Sequence, residues 1–288
     1  MRVGLIGVGK MGAPIGRRLI HAGHDVSVFN RSRQPMLDLV EHGARAAESA
    51  ADVAGTAEVV LTSLPTVAAV ETVYDELIGA ARPGQLFIDH STTALQTTRS
   101  TAQRLADAGA AFLDAPVSGG PAGAEGGTLT IMVGGEQEVF DRAAPVFASY
   151  GKNIRLCGRT GSGQIVKLVN QLLVAVHTAA SADAALLAVR LGVDLETVKD
   201  VVGTSFGGST MLLRNLPRFA QQDYSPATPV ELIAKDLRII QSEAEQAGIV
   251  LTLADSVEPI YAEAVSLGRA KDDMSVLYRQ AEQRSRDA

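Results

Sequence analysis

The chain has 288 residues, a formal net charge of −6, and apolar and charged fractions of 46% and 20%, which are typical of a globular protein. This length predicts two domains rather than one. Lysine and arginine are scattered and tryptophan is absent, so the basic stripe and stacking platforms of a nucleic-acid binder are not present.

Cysteine use and hydropathy predict a cytoplasmic protein. Cys157 is the single cysteine, so no internal disulfide can form, and no Cys/His cluster has metal-ligand spacing. Glycines and Lys10 interrupt the apolar N-terminus, so we do not expect a signal peptide. The longest apolar stretch, about 165–189, carries several polar residues, and we interpret it as a buried helix rather than a membrane span. We therefore expect neither a metal nor a membrane partner.

The first half of the chain alternates short β-branched runs with helical patterns. Strands are predicted at Val3–Val8, Asp25–Phe29, Val59–Ser63, Leu86–Asp89, Ala111–Leu113 and Thr128–Val133, and a helix at Met11–Ala22. Such alternation predicts a mainly parallel, doubly wound sheet with helices on both faces. Thr128–Val133 follows a glycine-rich loop without a clear helix, so this strand is the candidate for an antiparallel one.

Strand patterns end near Gly161. Helices are predicted at roughly 163–190, 194–203, 208–221, 229–246, 250–267 and 273–284. The predicted fold is therefore α/β: a Rossmann-type domain, residues 1–160, is joined by a long interdomain helix to an all-α C-terminal domain, residues 161–288.

A G-x-G-x-x-G pattern follows the first predicted strand and consists of Gly7, Val8, Gly9, Lys10, Met11 and Gly12. In a dinucleotide site the first glycine allows the tight turn, the second lets the pyrophosphate approach, and the third lets helix and strand pack closely. The helix that follows points its amides at the phosphates. Alone, the pattern is as typical of a plain strand-to-helix connection, but a second strand ends about twenty residues later, as this fingerprint requires.

The second predicted strand is followed by Asn30, Arg31, Ser32 and Arg33. An NAD-specific site carries an acidic residue here, and its carboxylate would repel a 2′-phosphate. The two arginines attract such a phosphate, Ser32 can donate to it, and Arg31 can stack on adenine. We interpret the turn as a preference for NADP(H), with NAD(H) as a weaker cofactor. A solvated turn with two surface arginines is the alternative.

Two later turns follow predicted strands, where a doubly wound sheet binds its ligand. They contain Leu64 and Pro65 in the first turn and Asp89–Thr92 in the second. We assign Leu64, Pro65 and Thr92 to the cofactor site, although both segments are also typical of ordinary turns. His90 is given a structural interpretation and no functional role.

A loop of small residues runs from Asp114 to Gly127 and contains Ser118, Gly119 and Gly120. Its backbone N–H groups and the Ser118 hydroxyl can surround an anion, which suits a substrate carboxylate. A flexible glycine loop without a ligand fits the same pattern.

Lys167, Asn170 and Gln171 lie at i, i+3 and i+4 of one predicted helix and therefore share a face. A lysine within an apolar helix costs free energy unless it has a partner, and a buried ammonium suits a proton donor. The alternative is a lysine whose ammonium group reaches solvent beside two surface amides.

Taken together, these motifs resemble the β-hydroxyacid dehydrogenase family, which includes 3-hydroxyisobutyrate dehydrogenases, tartronate semialdehyde reductases, and glyoxylate or succinic semialdehyde reductases. The resemblance covers essentially the whole chain. It is carried, in the family's order and spacing, by Gly7–Gly12, Leu64–Pro65, Asp89–Thr92, Asp114–Gly120, Gly161–Gln171 and Lys235–Leu237.

The resemblance implies an NADP(H)-dependent oxidoreductase that transfers a hydride between nicotinamide and a small β-hydroxy acid or its semialdehyde or oxo acid. It implies Lys167 as general acid/base and the Ser118–Gly120 loop as the carboxylate site. Asn170 and Gln171 would orient the substrate, although the family often has Asn at the second position. Lys235 would contact the cofactor across an interdomain cleft and Asp236 would approach the substrate. The resemblance also implies that the chain forms a homodimer or homotetramer.

Three rival interpretations remain. An imine reductase shares this architecture but usually replaces the lysine with an acidic or aromatic residue, so Lys167 argues against it. A 6-phosphogluconate dehydrogenase is considerably longer and has a fuller helical domain. A catalytically silent NADP-binding module is also disfavoured, because such relatives lose the lysine.

Overall fold

The computed structural model describes residues 1–287. The chain divides into two compact units, and the division lies between Lys167 and Leu168. The predicted boundary after residue 160 precedes this point because the first turn of a long helix packs with the first unit. Ala288, the last residue of the predicted second domain, lies outside the described residues.

The first unit is built on a sheet. Its strands are β1 (Arg2–Ile6), β2 (Asp25–Phe29), β3 (Arg45–Ala46), β4 (Val59–Thr62), β5 (Leu86–Asp89), β6 (Ala111–Asp114), β7 (Val117–Ser118), β8 (Leu129–Gly134) and β9 (Gly151–Gly158). The strand order is β3-β2-β1-β4-β5-β6-β8-β7, with β9 also paired to β8. Strands β1 to β6 run parallel, whereas β8 is antiparallel to β6 and β7. The mainly parallel sheet and its antiparallel strand are confirmed.

Helices accompany these strands. They are α1 (Gly12–His21), α2 (Gln34–Glu41), α3 (Ala50–Thr56), α4 (Val67–Ala80), α5 (Leu95–Asp107), α6 (Gly120–Glu125) and α7 (Gln137–Phe147). Successive strand residues enter different apolar clusters: Leu61 and Ile88 join one cluster, whereas Val60 and Phe87 join the other. Because side chains alternate along a strand, the sheet is buried on both faces, as a doubly wound sheet requires.

Four elements of this unit were not predicted, namely the strands β3, β7 and β9 and the short helix α6. The loop predicted from Asp114 to Gly127 contains β7 and the short helix α6, which begins with Gly120 and Pro121, a favourable first-turn proline. Strand β9 lies near the predicted end of the first domain, where no strand was predicted. Its exposed Lys152 and Arg155 interrupt the apolar run that would have indicated a strand.

The second unit is entirely helical within the described residues, which confirms the predicted class. Its helices are α8 (Ser162–Arg190), α9 (Leu195–Val202), α10 (Thr210–Gln221), α11 (Val230–Gln246), α12 (Thr252–Ser266) and α13 (Leu277–Asp287), the last preceded by a 3₁₀ turn at Met274–Val276. The first turn of α8 belongs to the first unit. Small residues of α8, including Ala175 and Ala179, pack in one cluster with Phe219 and Tyr261.

The prediction that residues 165–189 form a buried helix is wrong for one face of α8. By length and composition alone α8 could cross a membrane, and about a third of its most apolar segment is buried. Its alanine face packs into the helical core, whereas the other face is apolar and exposed at Ile165, Val169, Leu173 and Leu187. The sequence pattern missed this because both faces are apolar.

Candidate functional site

The glycines of the turn between β1 and α1 have different packing requirements. Gly7 has φ +93°, and a Cβ there would overlap the Ser63 carbonyl oxygen. A Cβ at Gly12 would overlap the Gly7 carbonyl oxygen, so this glycine lets the helix approach the strand. A Cβ at Gly9 would meet open space. The fold itself therefore needs Gly7 and Gly12, while Gly9 leaves bare backbone where a pyrophosphate would approach, and the turn fits a dinucleotide.

Asn30 connects the end of β2 to the glycine turn. Its Oδ1 accepts a hydrogen bond from the Val8 N–H at 3.0 Å, and its Nδ2 donates to the Ser32 carbonyl at 2.9 Å. The side-chain amide therefore fixes two backbone segments that sequence reasoning treated as separate cofactor contacts. Arg31, Ser32 and Arg33 are exposed beside it.

The turns after β4 and β5 are joined by hydrogen bonds. The Leu64 N–H donates to Ser91 Oγ at 2.9 Å, and the Ser91 N–H donates to Asp89 Oδ1 at 3.0 Å. Both turns lie at the carboxyl edge of the sheet, next to the point where the strand order reverses between β1 and β4. Ligands of doubly wound sheets bind there. Pro65 is exposed and Thr92 is half-buried in these turns.

Lys167 lies in the first unit, near the start of α8, and is only 8% exposed. Its Nζ donates a hydrogen bond to the Val117 carbonyl oxygen at 2.8 Å. The next residues are Ser118, Gly119 and Gly120, and both glycines have positive φ, +124° and +62°. The structure therefore brings the amine next to the predicted carboxylate loop. The alternative of an ammonium group that reaches solvent is wrong.

In the helical unit, polar residues form a continuous chain of contacts. Asn170 Nδ2 donates to Gln171 Oε1 at 2.9 Å, and Gln171 Nε2 donates to Asp236 Oδ2 at 2.5 Å. The other Asp236 oxygen lies 3.0 Å from Lys235 Nζ. The resemblance implies separate roles for Lys235 and Asp236, but the carboxylate of Asp236 contacts both the Lys235 ammonium and the Gln171 amide.

Sequence reasoning missed two buried polar residues of the first unit. Asp114 accepts hydrogen bonds from the Gly161 N–H at 2.7 Å and the Gln164 N–H at 2.9 Å. The Gln164 side chain donates to the Ser91 carbonyl at 2.7 Å and accepts from the Thr93 N–H at 3.3 Å. Burial raises the pKa of Asp114 to about 6, although the two N–H donors oppose this. An acidic residue that ends an apolar strand was the available signal.

His90 is buried between two partners, in keeping with its structural interpretation. Its Nδ1 lies 2.6 Å from the Ala115 carbonyl oxygen and its Nε2 lies 2.9 Å from the Tyr150 hydroxyl. Burial lowers the pKa of His90 to about 4, so the ring is neutral at physiological pH. A neutral ring that donates from Nδ1 and accepts at Nε2 satisfies both contacts.

Comparison with known families covers both units. Residues 2–158 match the family model described as the NAD binding domain of 6-phosphogluconate dehydrogenase. Residues 161–281 match the model described as the NAD-binding domain of NADP-dependent 3-hydroxyisobutyrate dehydrogenase. Each match lies within one of the predicted domains, 1–160 or 161–288.

Individual proteins are similar over nearly their full lengths. The chain is 38% identical to 3-hydroxyisobutyrate dehydrogenase of Pseudomonas aeruginosa, over 96% of this chain and 98% of the relative. It is 36% identical to the NAD-dependent L-serine dehydrogenase of the same organism, over 96% and 97%. A solved structure of Mycobacterium tuberculosis 3-hydroxyisobutyrate dehydrogenase with L-serine has a TM-score of 0.90 and 33% identity, and covers 97% of this chain and 98% of that one.

Proposed function

This chain belongs to the β-hydroxyacid dehydrogenase family of NAD(P)-dependent oxidoreductases, and on that premise we propose an NADP(H)-dependent enzyme with Lys167 as its general acid/base. Its substrate is a small β-hydroxy acid or the corresponding semialdehyde or oxo acid. The observation that carries the proposal is the buried amine of Lys167, 2.8 Å from the Val117 carbonyl and next to Ser118.

The chain's own residues have distinct parts in this reaction. The bound nicotinamide supplies or accepts the hydride at the substrate carbon. Ser118, Gly119 and Gly120 hold the substrate carboxylate through backbone N–H groups and the Ser118 hydroxyl. During reduction, negative charge develops on the carbonyl oxygen, and the ammonium group of Lys167 donates a proton to it. During oxidation, the neutral amine of Lys167 takes the hydroxyl proton.

The polar residues of the helical unit assist this step. Asn170 and Gln171 orient the substrate, and Asp236 acts through Gln171 because its carboxylate fixes the direction of the Gln171 amide. Lys235 keeps its proposed role as a cofactor contact, with Asp236 as its partner.

We expect Arg31→Ala to reduce the preference for NADPH over NADH about ten- to a hundredfold, because a hydrogen bond to a charged phosphate contributes about 1.5–3 kcal/mol. The measurement is the ratio of kcat/KM for the two cofactors. Arg155→Ala, which removes another exposed arginine of the same unit, is the matched control and should leave the ratio unchanged. Equal use of both cofactors by the native enzyme would overturn the NADP(H) proposal.

Asn30→Asp tests the same preference by a different route. The carboxylate can still accept from the Val8 N–H but loses the donation to the Ser32 carbonyl, and it places a negative charge next to the proposed 2′-phosphate site. We expect kcat/KM to fall for NADPH and to hold or rise for NADH. A parallel loss for both cofactors would instead show that residue 30 only supports the turn.

A substrate panel tests the reaction class. Purified enzyme is offered NADPH or NADH with small semialdehydes, oxo acids and cyclic imines, and the oxidised cofactors with hydroxy acids. The matching amides, which lack the carboxylate, are offered in parallel. We expect turnover of the acids and strongly reduced turnover of the amides. Turnover of cyclic imines alone would indicate an imine reductase. Cofactor binding without turnover of any compound would indicate a silent binding module.

We also propose that the enzyme is a homodimer or homotetramer, supported by the exposed apolar stripe of α8. A symmetric dimer places the same surface of both copies in contact, so one stripe can cover another. We expect Leu173→Glu to lower the molar mass measured by light scattering during gel filtration. Leu253→Glu, at another exposed leucine on α12, is the control and should keep the native mass. A monomeric native protein would contradict the proposal.

A further inference from the structure

The first turn of α8 lies directly against the carboxyl ends of β6 and β8. A Cβ at Gly163 would overlap the Met132 carbonyl oxygen and lie 2.7 Å from the Asp114 carbonyl oxygen. A Cβ at Gly134 would lie 2.5 Å from Asp114 Oδ1 and 2.8 Å from the Gly163 nitrogen. Because no side chain fits at either glycine, the helix and both strand ends are held in backbone contact.

The Asp114 carboxylate adds hydrogen bonds to this backbone contact. It is fully buried, and its two carboxylate oxygens each accept an N–H from the start of α8, at Gly161 and Gln164. The first N–H groups of a helix have no partner within the helix, and a carboxylate there also favours the helix dipole. Asp114 therefore caps α8 from the end of a strand about fifty residues away in the chain.

The segment that begins at Asp114 also binds the amine of Lys167, which lies on α8. Asp114 binds the helix start, and Val117, three residues later, accepts the hydrogen bond from Lys167. The Ser118 loop follows immediately. The segment 114–117 is therefore hydrogen-bonded to α8 at two places, through Asp114 at the start of the helix and through Val117 at the Lys167 amine. The position of the amine relative to the carboxylate loop depends on both connections.

We propose that Asp114 is a positioning residue that sets the distance between the Lys167 amine and the Ser118–Gly120 loop by fixing the first turn of α8. The role rests on the proposed function, in which Lys167 transfers the proton. Asp114 touches neither substrate nor cofactor. Its loss therefore affects the proton-transfer step and leaves the phosphate-binding turn at Gly7–Gly12 intact.

The test is Asp114→Asn, assayed at pH 8, where the native side chain is ionised. The amide NH₂ of asparagine meets one of the two helix N–H groups and cannot accept from it. We expect kcat to fall about ten- to a hundredfold, because an error of about 1 Å in the placement of a reacting group has effects of that size. The Kd for NADPH should change less than about twofold, and the solvent deuterium isotope effect on kcat should rise as proton transfer becomes limiting.

Gly134→Ala provides a second disruption without any change in charge, since the added methyl group pushes against the Asp114 carboxylate. It should reproduce the loss of kcat, the retained Kd and the larger isotope effect. Hydrogen exchange at the Gly161 and Gln164 amides should accelerate about tenfold or more in both variants, and this readout requires no activity.

Gln85→Glu is the matched control. Gln85 is buried at the amino end of β5, whereas Asp114 lies at the carboxyl end of β6. Its side chain donates to the carbonyls of Ala54 and Ala57, so an isosteric amide-to-carboxyl exchange disturbs a comparable network there. It should lower Tm without changing kcat, the isotope effect or exchange in α8. Native kcat in Asp114→Asn, or an equal loss of kcat in Gln85→Glu, would overturn the positioning role. An active Lys167→Ala variant would overturn the proposed function instead, whatever the exchange data show.

Discussion

Lys167→Ala is expected to lower kcat about 10²- to 10⁴-fold, the usual contribution of a positioned general acid or base, while NADPH binds with nearly native affinity. The alanine removes the buried amine that donates to Val117 and leaves the glycine turn of β1 and α1 unchanged. Steady-state kinetics with the best substrate of the panel measure kcat, and fluorescence titration of NADPH measures its Kd.

Two further variants make this result specific to the buried amine. Lys152→Ala removes an exposed lysine of the same unit and should retain native kcat. Lys167→Arg keeps a positive charge, but a guanidinium remains protonated at all useful pH values and cannot act as a base. A group that holds its proton this tightly is also a poor acid, so the variant should be defective in reduction as well as in oxidation. A substantial residual rate in Lys167→Ala would show that another group transfers the proton.

Six strands of the first unit could be predicted because each carries its own local signal, whereas the two-residue strands β3 and β7 are too short to show one. Asp25–Phe29 and Leu86–Asp89 were predicted with their observed bounds, since both are short runs rich in β-branched and aromatic residues. The antiparallel direction of β8 was predicted from the lack of a clear helical pattern before it, although the short helix α6 lies there. By contrast, β9 is exposed on several residues, so its sequence shows no apolar run. Its place in the sheet depends on pairing with β8, a tertiary contact that no local pattern encodes.

The candidate site was predictable to the extent that its residues lie in motifs. Lys167 stood out because a cation within an apolar helix requires a partner, yet the identity of that partner, the Val117 carbonyl, came only from the structure. Asn30 was recognised by its position after β2, but its bond to the Val8 N–H joins residues 22 positions apart. Asp114 was seen only as the start of a loop, because its partners at the start of α8 are distant in sequence.

The second large effect is expected in the helical unit, where Asp273→Asn should lower the free energy of unfolding by about 3–5 kcal/mol, as when one partner of a buried ion pair is removed. Asp273 is fully buried, and its two carboxylate oxygens accept hydrogen bonds from the two terminal nitrogens of Arg214, with N–O distances of 2.9 and 2.6 Å. It also accepts the N–H groups of Thr228 and Ser275. In the variant the Arg214 guanidinium has lost its negatively charged partner. The asparagine also places an NH₂ group, which cannot accept a hydrogen bond, against one of the backbone N–H groups that Asp273 binds.

Urea unfolding followed by circular dichroism measures this loss. Glu245→Gln, an exposed acid-to-amide exchange on α11, is the matched control and should change stability by less than about 0.5 kcal/mol. If Asp273→Asn were as stable as the control, the ion pair would contribute nothing to the helical unit. A loss of the expected size would show that this unit depends on a charge that connects α10 to the turn before α13.

The same carboxylate predicts a pH dependence. Burial alone would raise the pKa of Asp273, but hydrogen bonds from Arg214, Thr228 and Ser275 outweigh it and lower the pKa from 3.8 to about 2. A carboxyl group whose pKa is lower in the folded state contributes stability above its unfolded value, and this contribution is lost as the pH falls through the folded value. The stability difference between the native protein and Asp273→Asn should therefore be constant above about pH 5 and shrink between about pH 4 and 2. Carboxylates that do not interact with Asp273 titrate equally in both proteins, so their effects cancel and the difference reports Asp273 together with its charged neighbours Arg218 and Asp223.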